Sequence, residues 1–332
     1  MTYSDLRVLP DVRPSGDGAA APFPRAPQGW AILCASAGLR PGAVRRAHLL
    51  GQPVAVFRTR DGRAAALGAF CPHMGAHLGG GRVTDAGLAC PLHGWTFDAE
   101  GTCRLGAEGA AACVPRMAAS FPVEERHGAV FAFHGRAATH PLPDVPDGLT
   151  AHVGRPVSIE APWEVVSANG FDAQHLFTVH ARALREPPAF GPGPAPGTFV
   201  LRYLARVTGT RLSDRVVKRA TNDRVDVTTT AFGGTLFLTE SRVGRRTNRL
   251  LVSIVPSPDG QRTVVTPVFL VEGTGPVARL GVRAAGWGFT AFLSPDVEAL
   301  RGIRFRAPRP SPADEAFLAY LAYLCALPQY AE

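Results

Sequence analysis

The sequence predicts an α+β chain of two units: an all-β N-terminal domain, then a curved antiparallel sheet that grips long helices. Three observations carry this prediction. The 332 residues exceed the roughly 100–200 that one domain usually holds. From Trp30 to about Arg136, short apolar runs alternate with Gly and Asp turns, the pattern of a small β unit. Beyond residue 156, β-branched strands come first and two helical stretches follow in one block, which argues against a βαβ repeat.

Taken in order, residues 1–28 read as a flexible tail. Asp5, Arg7, Asp11 and Arg13 break any apolar run, so no export signal is expected and a cytoplasmic location is. The β unit spans 29–136. Residues 53–58 (PVAVFR) form a strand, 60–63 (RDGR) a turn, and His127–Gly128 closes a hairpin before 129–133. Residues 137–155 are rich in Pro, Asp and His without periodicity and read as a linker. The second domain covers 156–332. It opens on a strand-like stretch to Val166 and a segment of helical character over 167–183. A Pro/Gly loop over 186–198 follows, long enough to suggest a lid. Strands are expected at 199–207, 225–231, 235–243, 249–255 and 263–271. Helices are expected at 277–292 and 313–327, the last with Phe317, Leu318, Leu321 and Leu324 as its core-facing stripe.

Composition excludes several classes. No apolar run reaches the ~20 residues of a membrane span. The net charge is +8, but the arginines are scattered without interleaved aromatics, which argues against nucleic acid and suits an acidic electron donor of the ferredoxin or flavodoxin kind. Six cysteines in a chain without an export signal favour metal ligation where they lie close to histidines.

Two of them do. Cys71-Pro-His73 is followed, after sixteen residues, by Cys90-Pro-Leu-His93. Zinc accepts the same donors, but its pairs usually come as two Cys on one loop and two His on another. Here each loop supplies one of each, which suits a cluster in which two thiolates hold one iron and two imidazoles the other: a Rieske [2Fe–2S] cluster. Cys34, Cys103, Cys113 and Cys325 are then expected to be small buried apolar residues, and His77 a packed or solvent-facing histidine.

A second constellation begins seventy-six residues after His93: Asn169-Gly-Phe-Asp172-Ala-Gln-His175-Leu-Phe-Thr-Val-His180. Two histidines and a carboxylate make the facial triad of non-haem Fe(II) sites. The spacing from His175 to His180 is five positions, which on an ideal helix sets the side chains about 140° apart. Both can reach one metal only if the helix widens or breaks between them. Leu176, Phe177 and Val179 are expected to pack around the site.

The stretch 71–97 (CPHMGAHLGGGRVTDAGLACPLHGWTF) and the later N-x₂-D-x₂-H-x₄-H segment together resemble the catalytic subunits of Rieske non-haem iron oxygenases, over about residues 30–300. Within that family they are most similar to the 3-ketosteroid 9α-hydroxylase and cholesterol desaturase-like branch. Ala76 and Leu92 stand where respiratory Rieske proteins carry a bracing disulfide, and Trp95 where they carry a serine bonded to the cluster. With fewer such bonds, the cluster potential is expected near the low end of the Rieske range, about −150 mV.

The resemblance implies a helix-grip (START-like) second domain, a mononuclear Fe(II) held by His175 and His180, and Asn169 beside them. It implies Asp172 as a bridge to the cluster histidine of a neighbouring subunit, hence a head-to-tail homotrimer. The third ligand falls in the D-[IV]-E segment at Asp296, with Glu298 and Asp314 as alternatives. It further implies O₂ as co-substrate, electrons from NAD(P)H through a reductase or ferredoxin, and an apolar, polycyclic, steroid-like substrate that is hydroxylated or desaturated. Demethylation, amine or aromatic oxidation on the same fold, and a pure electron-transfer protein stay open as alternatives.

Overall fold

The computed structural model describes residues 23, 27–105, 117–210, 212–221, 223–243, 246–303 and 311–330. The first part consists of three small antiparallel sheets. One has the order Gly29–Ala35, Ala129–His134, Val123–Arg126. The second pairs Val44–Leu49, Gln52–Arg58, Ala64–Gly68 and Ser120–Phe121. The third joins Arg82–Thr84, Gly87–Ala89, Thr96–Phe97 and Cys103–Leu105. Two hairpins use two-residue turns with both central residues at positive φ, Leu50–Gly51 and His127–Gly128. That backbone matches the right-handed twist of the strands it joins, and it sets their register.

The second part is a nine-stranded antiparallel sheet. Its path runs Leu149–Val153, Thr263–Glu272, Arg246–Pro256, Leu236–Val243, Val225–Phe232, Thr198–Val207, Arg182–Leu184, with Val157–Ile159 and Ala189–Pro192 pairing to the side. Among the described residues, five α-helices accompany it: α1 (Trp163–Asn169), α2 (Ala173–Thr178), α3 (Leu212–Thr221), α4 (Pro276–Leu300) and α5 (Glu315–Cys325). One apolar core lies between the sheet and α1 and α5, with Trp163, Phe171, Phe199, Phe237, Val252, Tyr320 and Leu324 buried in it. The ring of Phe171 lies flat on that of Tyr320, 3.7 Å apart. No helix among the described residues is long and apolar enough to cross a membrane.

A second core joins the two parts. Trp30, Ile32, Phe131 and Phe133 of the first sheet pack on Phe232, Leu236, Leu251, Val268 and Leu270 of the large one. Polar bonds cross the same seam: Trp30 Nε1 donates to the His140 carbonyl at 2.9 Å, and Thr235 Oγ1 donates to the Trp30 carbonyl at 2.9 Å.

The structure corrects several expectations. Residues 149–153, within the expected linker, are a strand of the large sheet, placed there by pairing and packing and not by any periodicity of their own. The helical segment expected over 167–183 is two short helices and then a strand. The expected lid at 186–198 is tied down, because Ala189–Pro192 pairs with the strand beginning at Thr198. Helix α4 runs past its expected end at 292 and through Pro295. A proline there removes one hydrogen bond and costs about 3 kcal/mol. Leu293, Val297 and Leu300 around and beyond it pack on the core, which offsets that cost. Helix α3 is absent from the expected elements, although Leu212, Val216 and Ala220 stand at helical spacing in an otherwise polar segment. Cys103 is disulfide-bonded and is not a small apolar filler; Cys34 and Cys325 are free and half-buried, and Cys113 lies outside the described residues. Most of the expected tail is also outside them, but Gln28 donates its N–H to the Pro328 carbonyl at 2.9 Å, which anchors the chain there.

His140 sits at the seam, 5% exposed, edge-on to Phe133 at 5.4 Å. Burial pushes its imidazole down from 6.5 to about 4. Between those values the unfolded chain binds a proton that the folded chain refuses, so stability falls as pH falls through the window. The interval corresponds to about 3 kcal/mol. We expect urea midpoints to drop between pH 7.5 and 4.5, and His140→Phe to flatten that dependence. An unchanged pH dependence in the variant would remove His140 as its source.

Candidate metal centres

The two cysteine loops share one backbone design. Cys71 N donates to the Ala76 carbonyl at 2.9 Å, and Gly75 N donates back to the Cys71 carbonyl at 2.8 Å. In the other loop, Cys90 N donates to the Trp95 carbonyl at 2.8 Å and Gly94 N to the Cys90 carbonyl at 3.0 Å. Gly75 and Gly94 have φ of 75° and 73°, the left-handed turn that glycine enters at no steric cost. Each loop is thus a tight knuckle, set by a glycine four residues after its cysteine.

These knuckles bury Cys71 and Cys90 and leave His93 exposed. Burial pushes the Cys71 thiol up, and the neighbouring Cys90 adds to the rise. The His73 ring stacks on Trp95 at 4.5 Å, nearly parallel, and meets the His93 ring edge-on at 4.8 Å. Nδ1 of His73 is buried without a hydrogen-bond partner. A buried orphan nitrogen beside two buried thiols fits metal ligation. One cysteine and one histidine from each loop favour a two-iron cluster over one zinc, with Cys71, His73, Cys90 and His93 as the residues that would hold it. His77 does something else, since its Nδ1 accepts from Gly79 N at 3.0 Å and caps a helical turn.

The second constellation depends on a broken helix. Asp172 caps α2, its Oδ1 accepting from the backbone N–H of Gln174 at 2.9 Å and of His175 at 3.1 Å. Helix α2 ends at Thr178, and Ala181 turns the chain with φ of 52°. For a residue with a Cβ this conformation costs about 1 kcal/mol. The break swings His180 back, so that its ring lies 4.6 Å from that of His175.

Asp296 comes from α4, 121 residues away from His175. Its Oδ1 lies 2.7 Å from His175 Nε2 and 3.1 Å from His180 Nε2. Burial pushes the carboxyl up, yet bonding to the two imidazoles outweighs it and holds the group at about 2. His180 Nε2 is buried and makes no aligned hydrogen bond. Its ring stacks on Phe292 at 3.9 Å. Two imidazoles and a carboxylate within 4.8 Å of one another, with His175 Nδ1 and His180 Nε2 both buried and lacking a partner, fit a divalent metal. Asn169 is next to them, its Nδ2 3.3 Å from His175 Nε2.

The alternative carboxylates lie elsewhere. Glu298 pairs with Arg301 at 2.9 Å on the surface, and Asp314 accepts from Gln174 Nε2 at 2.7 Å. The hydrogen bonds of Asp172 go to the backbone of α2 and not to either imidazole. Leu176 is buried, but Phe177 is 58% exposed and does not wall the site as expected. Two contributors escape the sequence reading. Phe292 lies four residues before Asp296, a helical spacing that is hidden when the helix is taken to stop before Pro295. Trp95 is legible only as a missing serine, not as a stacking partner for His73.

An optical redox titration tests the cluster loops: with Trp95 in place of a hydroxyl donor, the potential is expected near about −150 mV. A midpoint above about +100 mV would show that the cluster is tuned toward the upper part of the Rieske range. Asp296→Ala should release the second metal while leaving the visible cluster absorption unchanged, as read by metal analysis and absorption together.

Comparison with known proteins speaks to the domain and the fold. Residues 29–121 match the family model described as the Rieske [2Fe-2S] domain. A cholesterol 7-desaturase of Ciona intestinalis is 38% identical over 165 residues, 46% of this chain and 34% of that protein. The aminopyrrolnitrin oxygenase PrnD of Pseudomonas fluorescens is 33% identical over 40% of each. The matches thus span well under half the length of these relatives. A structure of dicamba monooxygenase with non-haem iron and dicamba superposes with a TM-score of 0.66 at 20% identity, over 92% of this chain and 97% of that one. This chain therefore carries a Rieske [2Fe–2S] domain, is similar over part of its length to cholesterol 7-desaturases and to other oxygenases, and shares the fold of dicamba monooxygenase.

Proposed function

We propose that the chain is a terminal oxygenase that uses O₂ and electrons derived from NAD(P)H to hydroxylate or desaturate an apolar, polycyclic, steroid-like substrate. The observation that carries this is the convergence of His175, His180 and Asp296 on one point in a chain that also has a Rieske domain. His175, His180 and Asp296 would hold iron, which when bound would supply the chemistry of O₂ activation. The protein's residues do the rest. Asp296 and the two imidazoles set three donor atoms within 4.8 Å of one another. Phe292, itself 44% exposed, stacks on the His180 ring and fixes its plane. A reductase or ferredoxin delivers electrons to the cluster, for which the exposed His93 is the accessible edge.

Asp172 is assigned to electron transfer between subunits of a head-to-tail homotrimer, facing the cluster histidine of the neighbouring copy. The half-buried position of Asp172 and the exposure of His93 support that role. The steroid-like substrate class rests on the 38% identity to a cholesterol 7-desaturase.

Reconstitution with a surrogate reductase and NADH, screened against sterols, aminopyrrolnitrin and aromatic ethers by mass spectrometry, tests the reaction. Oxygen incorporation into, or loss of two hydrogens from, a sterol is the expected result. His175→Ala should lower turnover by more than about 100-fold and keep the cluster spectrum, since even an outer-shell change commonly costs about 10–100-fold. Turnover surviving in that variant would disprove the metal assignment.

A further inference from the structure

The residue after His180 is held in a conformation that it would not choose. Ala181 is one of four non-glycine residues at positive φ among the described residues, and it directly follows a metal-ligand candidate. Strained backbone at such a place persists only when its surroundings hold it.

Arg182 supplies the hold. Its Nη1 lies 3.0 Å from the His180 carbonyl, 3.3 Å from the Ala181 carbonyl and 3.1 Å from Asp214 Oδ1. The Ala181 carbonyl also accepts from Thr208 N at 2.8 Å. Both charged side chains are largely enclosed, Arg182 at 15% exposure and Asp214 at 9%. A carboxylate and a guanidinium in that setting are unfavourable apart and strongly paired together. Asp214 is in the first turn of α3, and a Cβ on Gly209 would overlap its Oδ2, so the chain leaves room for it there. The far end of α3 is strapped to the same part of the sheet: Val207 N donates to Asp223 Oδ1 at 2.9 Å, and Arg185 Nη2 donates to the Asp223 carbonyl at 3.3 Å.

We propose that Arg182, braced by Asp214 of α3, is a positioning residue that clamps the His180 carbonyl and so keeps the His180 imidazole aimed at Asp296. The inference rests on the reading of His175, His180 and Asp296 as a metal centre. It also gives α3 a part in the site, as the anchor of the guanidinium that orients a ligand from behind. The clamp reaches neither the metal nor a substrate, and acts only through the backbone of residues 180–181.

Anaerobic Co(II) titration of cluster-loaded protein lacking the second metal tests it, with the visible Rieske absorption as an internal control for folding. Arg182→Met is expected to weaken Co(II) binding at least about 10-fold and to alter the Co(II) d–d absorption at saturation, with the cluster bands unchanged. Arg182→Lys, which keeps the charge but not the fork, should recover part of the affinity. Adding Ala181→Gly to Arg182→Met should also recover part, because glycine needs no clamp to stay at positive φ. Should Arg182→Met disturb folding, Asp214→Asn keeps the shape and removes the charge, and it should still weaken Co(II) binding. Wild-type affinity and an unaltered Co(II) spectrum in both variants would overturn the clamp and leave the metal centre standing. Failure of the wild-type protein to bind Co(II) stoichiometrically would overturn the metal-centre reading, and the clamp with it.

Discussion

A carboxylate cannot be buried alone, and Asp296 is buried. At 4% exposure it would be costly as an ion without partners. Two imidazole nitrogens at 2.7 and 3.1 Å supply them. That one requirement ties α4 to the segment after α1, across 121 residues of chain, and much of the second domain is arranged to meet it. Helix α4 continues through Pro295 because Asp296 and Leu300 beyond it must face the core. Helix α2 stops early because a continuous helix would turn His180 away from His175.

The rigidity behind this site comes from aromatic packing. Phe171, between Asn169 and Asp172, lies flat on Tyr320, whose hydroxyl is 2.7 Å from Ser167 Oγ of α1. The short helices α1 and α2 have little stability of their own, since helices under about a dozen residues are marginal without tertiary contacts. Their orientation is set by α5 and the sheet. The cluster end relies on a different device. Its loops are pinned by backbone bonds around a left-handed glycine, and the Trp95 ring braces the imidazole of His73. The seam of Trp30, Phe133 and the large sheet holds the two ends to one another.

Much of the fold is legible in the sequence. The strands expected from 199 to 271 match the observed ones to within about three residues at each end, because long β-branched runs between turns have few alternatives. The two-residue turn at His127–Gly128 is legible for the same local reason. The errors cluster where tertiary contacts override local preference. Residues 149–153 look like linker, yet they pair along the edge of the sheet. The Pro/Gly-rich stretch looks like a lid, yet Ala189–Pro192 is a paired strand. The disulfide at Cys103 cannot be read from six cysteines of which two are metal-ligand candidates.

For the site, the sequence by itself determined the donor types and their local spacing: one cysteine and one histidine in each of two loops, then His175 and His180 five apart beside Asp172. Those are short-range features, written in adjacent residues. For the carboxylate of the second set, the resemblance names Asp296 ahead of Glu298 and Asp314, and the tertiary structure adds that Asp296 is the one of the three lying against both imidazoles. Burial against the core selects Asp296 and leaves Glu298 to the solvent. The brace behind His180 was invisible in the linear chain. Arg182 and Asp214 are 32 residues apart, and only the pairing of the edge strand with its neighbour brings α3 close enough for a guanidinium to span them.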